Sequence, residues 1–81
     1  MTAKDYFEQG IQLLRQQKFG PALIAFRKSL ELDSKSGPVH YNAGLALMSL
    51  ENPKEALVWL GKIPSADPNY EQAKELMEKL K

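Results

Sequence analysis

Apolar side chains recur along this chain at the spacing of α-helices. Phe7, Ile11 and Leu14 lie four and three residues apart, which places them on one face of a helix. Thr2, with Asp5 three residues later, resembles the capping box that begins a helix. The same periodicity predicts five helical segments, at about 4–17, 21–33, 38–50, 53–63 and 69–81. No segment alternates apolar and polar residues as a strand does, so we predict an all-α chain.

Proline and glycine mark the predicted turns between these segments. Three prolines suit the first turn of a helix, where no backbone donor is needed, and these are Pro21, Pro38 and Pro53. Pro64 should end or kink the fourth helix near 62–63, because it clashes with the preceding turn. Residues 18–20 are predicted to form a short turn. The strongest cluster of helix-breaking residues is 34–38.

The chain also matches itself after a shift of 34 residues. The matched pairs are Gly10 with Gly44, Leu13 with Leu47, Ala22 with Ala56, and Phe26 with Leu60. A repeat of this length is a helix pair that buries its apolar face only by stacking on a neighbouring pair. We expect the small residues to let paired helices approach closely, with Phe26 and Leu60 filling the space beside them. Such a stack offers a binding surface rather than a reaction centre.

These residues resemble the tetratricopeptide repeat. The first copy carries the pattern at Tyr6, Gly10, Leu13, Ala22 and Phe26, and the second at Gly44, Leu47, Ala56, Leu60 and Pro68. The chain departs from the usual pattern at Gln9, Ser34, His40 and Pro53. The resemblance implies an all-α, right-handed superhelical stack of antiparallel helix pairs with five helices. It implies a single domain over 1–81, with one repeat at 3–36, a second at 37–70 and a capping helix at 69–81.

Composition and charge narrow the function classes. The 11 basic and 10 acidic residues give a net charge of +1 and form no basic cluster, so nucleic-acid binding is not expected. The chain has no cysteine, one histidine, no glycine-rich phosphate loop and no metal-ligand spacing, so we predict no enzyme activity, no cofactor and no metal. No apolar run approaches the length of a membrane span, and the first residues do not resemble a signal peptide. We therefore expect a cytoplasmic protein that does not bind membranes.

The resemblance implies that the first helix of each repeat lines the ligand-binding, concave side of the stack. The positions we predict to contact a partner are Phe7, Ile11, Leu14, Tyr41, Asn42, Leu45 and Met48. Because most of them are apolar, we predict a groove for an amphipathic helix or an apolar peptide of a partner protein. Family members that grip an acidic C-terminus use a clamp of lysine and asparagine, of which only Asn42 is kept here, so that mode is disfavoured.

Three alternatives stay open. Some of the predicted contact residues, most easily Leu14 and Leu45, could be ordinary core. The chain could instead be a self-association module that forms a homodimer or a longer array, with Trp59 as an anchor unless it packs under the last helix. It could also be a designed or excised scaffold without a partner. His40 occupies the position of a packing aromatic, and we expect a structural role for it.

Overall fold

Five α-helices make up the chain in a computed structural model that describes residues 1–34 and 36–80. They are α1 (Ala3–Arg15), α2 (Phe19–Leu32), α3 (Gly37–Ser49), α4 (Pro53–Leu60) and α5 (Tyr70–Leu80). No strand occurs in these residues, and the all-α prediction is confirmed. Lys35, within the predicted breaker cluster, and Lys81, at the end of the predicted capping helix, lie outside the described residues.

Helix α1 begins with the predicted capping box. The Thr2 N–H donates to the Asp5 carboxylate over 2.8 Å, and the Asp5 N–H donates to the Thr2 hydroxyl over 3.2 Å. These two bonds satisfy donors that the first turn of a helix leaves without partners. The hydrogen bond from the Thr2 backbone, followed by that from its side chain, holds the pKa of the Asp5 carboxyl below its ordinary value.

The first helix of each repeat ends at a residue in the left-handed conformation. Gln17 has φ 62° and Glu51, 34 residues later, has φ 59°. In the first repeat the Lys18 N–H then donates to the Leu13 carbonyl over 2.9 Å, which closes the Schellman motif of a helix C-terminus. The prediction that α1 continues to Gln17 is therefore wrong by two residues. Glycine is the usual residue at this position, and its absence hid the end of the helix.

Helix α2 begins earlier than predicted. Phe19 and Gly20 are helical rather than part of a turn, because the Ala22 N–H donates to the Lys18 carbonyl over 2.9 Å and closes the first turn there. Pro21 is then the third residue of the helix, where its missing N–H costs nothing.

Helix α4 ends at Leu60, two to three residues before the predicted end. The Ile63 N–H donates to the Leu60 carbonyl over 3.2 Å, and the chain turns before it reaches Pro64. Ile63 is buried at this corner. Ahead of α5, the Asp67 carboxylate accepts the Asn69 N–H over 2.8 Å, which fixes the turn that leads into the helix.

Two clusters of buried side chains hold the helices together. The first joins the two helix pairs and consists of Ala22, Leu23, Phe26, Val39, Ala43, Leu47 and Ala56. The second attaches α5 and consists of Leu60, Ile63 and Ala73. Leu80, near the end of α5, packs against both clusters. The last helix therefore covers the end of the stack and is tied to both parts of its core.

Glycines set the distance between the helices of each pair, as predicted. A Cβ atom added to Gly10 would lie 2.5 Å from Cε1 of Phe26, and one added to Gly44 would lie 2.8 Å from Cδ2 of Leu60. Both Phe26 and Leu60 are fully buried. The same contact is thus made twice, with a ring in the first pair and a branched aliphatic side chain in the second.

Candidate functional site

The seven predicted contact residues all lie on the two first helices, α1 and α3, which contact each other directly. Each of the seven is half-buried, so none is sealed inside the core and none stands fully in solvent. We call this set the α1–α3 face, and its members are Phe7, Ile11, Leu14, Tyr41, Asn42, Leu45 and Met48.

Phe7 is the best-placed member of the α1–α3 face. Its ring centroid lies 6.0 Å from that of Phe26 at an interplanar angle of 41°, so its orientation is set by the core. It borders two open depressions. One, of about 300 Å³, is lined by Phe7, Glu8, Ile11, Gln12 and Arg15. The other, of about 230 Å³, is lined by Ala3, Lys4, Phe7, Ser29, Asp33, Ser36, Pro38 and Val39. A fixed aromatic ring between two depressions suits the docking of apolar side chains.

The remaining apolar members divide between core and surface. Ile11, Leu14 and Met48 pack against the first buried cluster, and Tyr41 packs against the second. Leu45 is half-exposed and belongs to neither cluster of the described chain. Part of the predicted groove therefore also stabilises the fold, whereas Leu45 has the smallest structural role.

Asn42 does not present its amide group to the face as a clamp residue would. Its Nδ2 donates to the Pro38 carbonyl one turn earlier, over 2.8 Å. The bond holds the side chain along its own helix.

A family model supplies the relationship to known proteins. The tetratricopeptide repeat model matches residues 13–80, which is most of the chain. The chain belongs to the tetratricopeptide repeat family. Neither a curated protein nor a solved structure matches it significantly. Tetratricopeptide repeats generally mediate protein–protein interactions and are not catalytic.

Clusters of metal ligands and helices that could span a membrane are both absent from the described part of these repeats. Across residues 1–34 and 36–80, no three histidine, aspartate or glutamate side chains converge as metal ligands would. None of the helices assigned there is long and apolar enough to cross a bilayer.

The sequence reasoning missed two further surfaces of these repeats. Ile24 is 57% exposed and lies in a depression of about 220 Å³ with Leu13 and Pro21 on the outer side of the first pair. The sequence could have indicated this exposed residue, because Ile24 lies outside the stripe of α2 that is buried. A second depression involves His40 and Lys62, and it depends on loops that meet only in the folded chain.

Trp59 of α4 packs on the first buried cluster and lies near side chains of α2 and α3. Its ring centroid lies 6.1 Å from that of His40, and Arg27 and Lys62 each lie 5.9 Å from it. His40 is buried, and its Nδ1 lies 2.8 Å from the Ser36 carbonyl oxygen. The expected structural role of His40 is confirmed.

Proposed function

We propose that this protein is a non-catalytic interaction module that binds a helix or peptide of a partner protein through the α1–α3 face. The observation that carries the proposal is Phe7, a core-anchored ring between two depressions on a face whose seven predicted members all remain half-buried. Fixed apolar side chains with partial access to solvent are what an apolar ligand needs. The proposed location of the protein is the cytoplasm, and its proposed partner is a protein or peptide, with no cofactor, metal, nucleic acid or membrane involved.

The proposed mode of binding is a helix or extended segment laid along α1 and α3. Apolar side chains of the ligand occupy the depressions beside Phe7, and flexible Met48 adapts to their shape. Each buried apolar side chain contributes about 1.5–3 kcal/mol before ordering costs. A dissociation constant of about 1 μM requires about 8 kcal/mol after those costs, so the ligand must bury more than three such side chains.

Leu45 offers the sharpest test, because it is half-exposed and outside both core clusters. A displayed library of amphipathic helices is selected against the protein, and binders are measured by fluorescence anisotropy. Leu45→Arg should weaken a selected binder at least about tenfold, equal to 1.4 kcal/mol, because it places a charge among apolar contacts. The variant should keep the thermal midpoint of the parent within a few degrees.

Val58→Arg is the matched control. Val58 is 57% exposed on α4 and lies outside the α1–α3 face, so the same change of size and charge should leave binding unchanged. Equal losses in the two variants would contradict the proposal, as would a library that yields no binder sensitive to Leu45→Arg.

Self-association is a second candidate, favoured by the depression that exposes Ile24 beside Leu13 and Pro21. In that case a second copy covers the outer side of the first pair. Sedimentation velocity over a hundredfold concentration range separates the two candidates. A constant mass of one chain favours the peptide-binding module, and a mass that rises to two chains favours self-association.

A further inference from the structure

The largest depression described above lies beside the loops that follow α2 and α4, and it shares no residue with the α1–α3 face. Its volume is about 460 Å³, and it is lined by Ser34, His40, Lys62 and Pro64. Ser34 follows the end of α2, and Lys62 and Pro64 follow the end of α4. The lining includes an ammonium group, an imidazole and a hydroxyl group, and none of the four residues carries a carboxylate.

His40 lines this depression with a side chain that is almost fully buried. Its side chain is 6% exposed, and its Nδ1 lies 2.8 Å from the Ser36 carbonyl oxygen. A carbonyl oxygen only accepts, so Nδ1 carries a proton and, in the neutral ring, Nε2 is an acceptor. Within the described residues no fully buried side-chain nitrogen or oxygen lacks a partner. Since Nε2 has no partner there, it keeps some accessible surface, and we infer that this surface faces the depression that His40 lines.

The Trp59 ring lies near His40 and near two positive groups. The Lys62 Nζ lies 5.9 Å from the Trp59 ring centroid, and the Arg27 guanidinium lies at the same distance. Arg27 pairs with Glu55 over 3.1 Å and does not line the depression, whereas Lys62 is the lysine among its four described lining residues. Contact with the ring limits the freedom of the lysine side chain, which lowers the entropy lost when a ligand fixes it.

The nearest acidic group on the loop after α4 is directed elsewhere. The Asp67 carboxylate accepts both the backbone N–H and the side-chain amide of Asn69, over 2.8 and 3.1 Å, and lies against Gly37 at the start of α3. Its charge is used to fix the turn before α5 and to complement the N-terminus of α3. It is not among the residues that line the depression.

From this arrangement we propose that the depression binds a phosphate monoester group. Such a group near neutral pH exists partly as the monoanion, with one O–H donor beside charged oxygens. The O–H donates to Nε2 of His40, and the charged oxygens accept from the Lys62 ammonium and the Ser34 hydroxyl. A carboxylate has no proton to offer Nε2 at this pH, so it matches the depression less well.

The test follows the imidazole signals of His40, the only histidine of the chain, by NMR during titration of the whole protein. The probes are inorganic phosphate, O-phosphoserine and acetate at constant ionic strength. Phosphate should give a saturable shift with a dissociation constant of about 1–10 mM, and acetate should bind at least about fivefold more weakly. Equal binding of phosphate and phosphoserine indicates a free phosphate ligand, whereas tighter binding of phosphoserine indicates a phosphorylated side chain.

Two variants and one control assign the effect to the depression. Lys62→Gln should weaken phosphate at least about fivefold, and Lys62→Arg should restore most of the affinity. Lys54→Gln removes an exposed charge outside the lining and should change the dissociation constant less than about twofold.

His40→Asn separates recognition from folding, because its amide can still donate to the Ser36 carbonyl while the Nε2 position is lost. Backbone amide signals of Ser34 and Lys62 replace the imidazole as reporters in this variant. The variant loses the ring contact with Trp59 and should melt below the parent, so phosphate binding is measured well below its transition and should be lost. The proposal is overturned if phosphate gives no saturable shift, if acetate binds as well as phosphate, or if Lys54→Gln and Lys62→Gln weaken binding equally.

Discussion

Helices α1 and α3 occupy the same place in successive repeats, yet one pair of equivalent faces differs in polarity between them. The exposed residues Asp5, Gln9 and Gln12 of α1 correspond, 34 residues later, to the buried residues Val39, Ala43 and Ala46 of α3. The difference follows from their neighbours. Helix α3 packs on both α2 and α4, whereas α1 packs chiefly on α2, and Gln9 of α1 borders an open depression. Stacking therefore decides which positions of a repeated helix can be polar.

The α1–α3 face does not follow this rule, and the exception is informative. Phe7 and Ile11 of α1 correspond to Tyr41 and Leu45 of α3, so this face is apolar in both helices although it is half-exposed in both. On α5 the next equivalent positions are Glu75 and Lys79, which are polar and exposed. An apolar strip that crosses two helices and stops at the third marks a bounded surface, which agrees with the proposed docking of a partner.

The largest effect is expected when a polar residue of α1 replaces the equivalent buried residue of α3. Ala43→Gln gives α3 the residue that α1 has at Gln9, at a site that is 0% exposed. Overpacking and an unsatisfied amide together should lower the free energy of unfolding by about 3 kcal/mol or more. Gln9→Ala, the reverse exchange on α1, should change it by less than about 0.5 kcal/mol.

Urea denaturation of the two variants and the parent measures both effects. An equal cost at the two positions would show that the outer side of α1 is also covered in solution. That result would favour self-association through the first pair.

A smaller effect is expected from alanine at the two close glycine contacts. Gly10→Ala brings a Cβ to 2.5 Å from the buried ring of Phe26, and Gly44→Ala brings one to 2.8 Å from Leu60. The gain in helix propensity is about 1 kcal/mol in each case. A buried aromatic ring can move aside less easily than a leucine side chain. We therefore expect the free energy of unfolding to fall by about 2 kcal/mol in Gly10→Ala and by about 1 kcal/mol or less in Gly44→Ala.

Gly20 provides the matched control for these two substitutions. It lies in the first turn of α2 with no neighbouring atom within 4 Å of an added Cβ, so Gly20→Ala should be neutral or stabilising. Thermal unfolding of the three variants gives the comparison. A loss at Gly20 equal to that at Gly10 would mean that close packing is not the cause.

The smallest effect on stability is expected from the N-terminal caps of α1 and α3. Asp5 belongs to the capping box of α1, and its folded pKa lies below its ordinary value because Thr2 donates hydrogen bonds to it. A carboxyl with a depressed folded pKa adds stability above its unfolded pKa, and this stability is lost as the pH falls through the folded value. Asp5→Asn should therefore reduce the loss of stability between neutral pH and about pH 2.5.

Helix α3 supplies the comparison, because its cap is Ser36, which does not titrate in this range. Ser36→Ala should lower stability by a similar amount at both pH values. Urea denaturation at the two pH values measures the difference. If Asp5→Asn left the acid dependence unchanged, the capping box would not contribute to it.

Helical periodicity was enough to predict five helices, but not where each one ends. Gln17 and Glu51 adopt the left-handed conformation without the glycine that usually announces it, so the end of α1 was placed too late. The start of α2 was missed because Phe19 and Gly20 resemble a turn when considered without the bond from Ala22 to Lys18.

The candidate site could be predicted by position but not by role. The resemblance to the repeat family indicated seven positions that are all half-buried, and their contact with a partner stays a prediction. It could not show that Tyr41 packs on the cluster that holds α5, or that Asn42 bonds to Pro38. Nor could it find the depression at His40, which forms where the loops after α2 and α4 meet helix α3. These features depend on tertiary contacts between distant segments.

Methyl NMR of the protein with a selected helical ligand tests the central claim most directly. The account predicts that ligand shifts the methyl signals of Ile11, Leu45 and Met48 and leaves those of Ile24 and Val58 in place. Shifts confined to Ile24 or Val58, with the α1–α3 face unchanged, would contradict it.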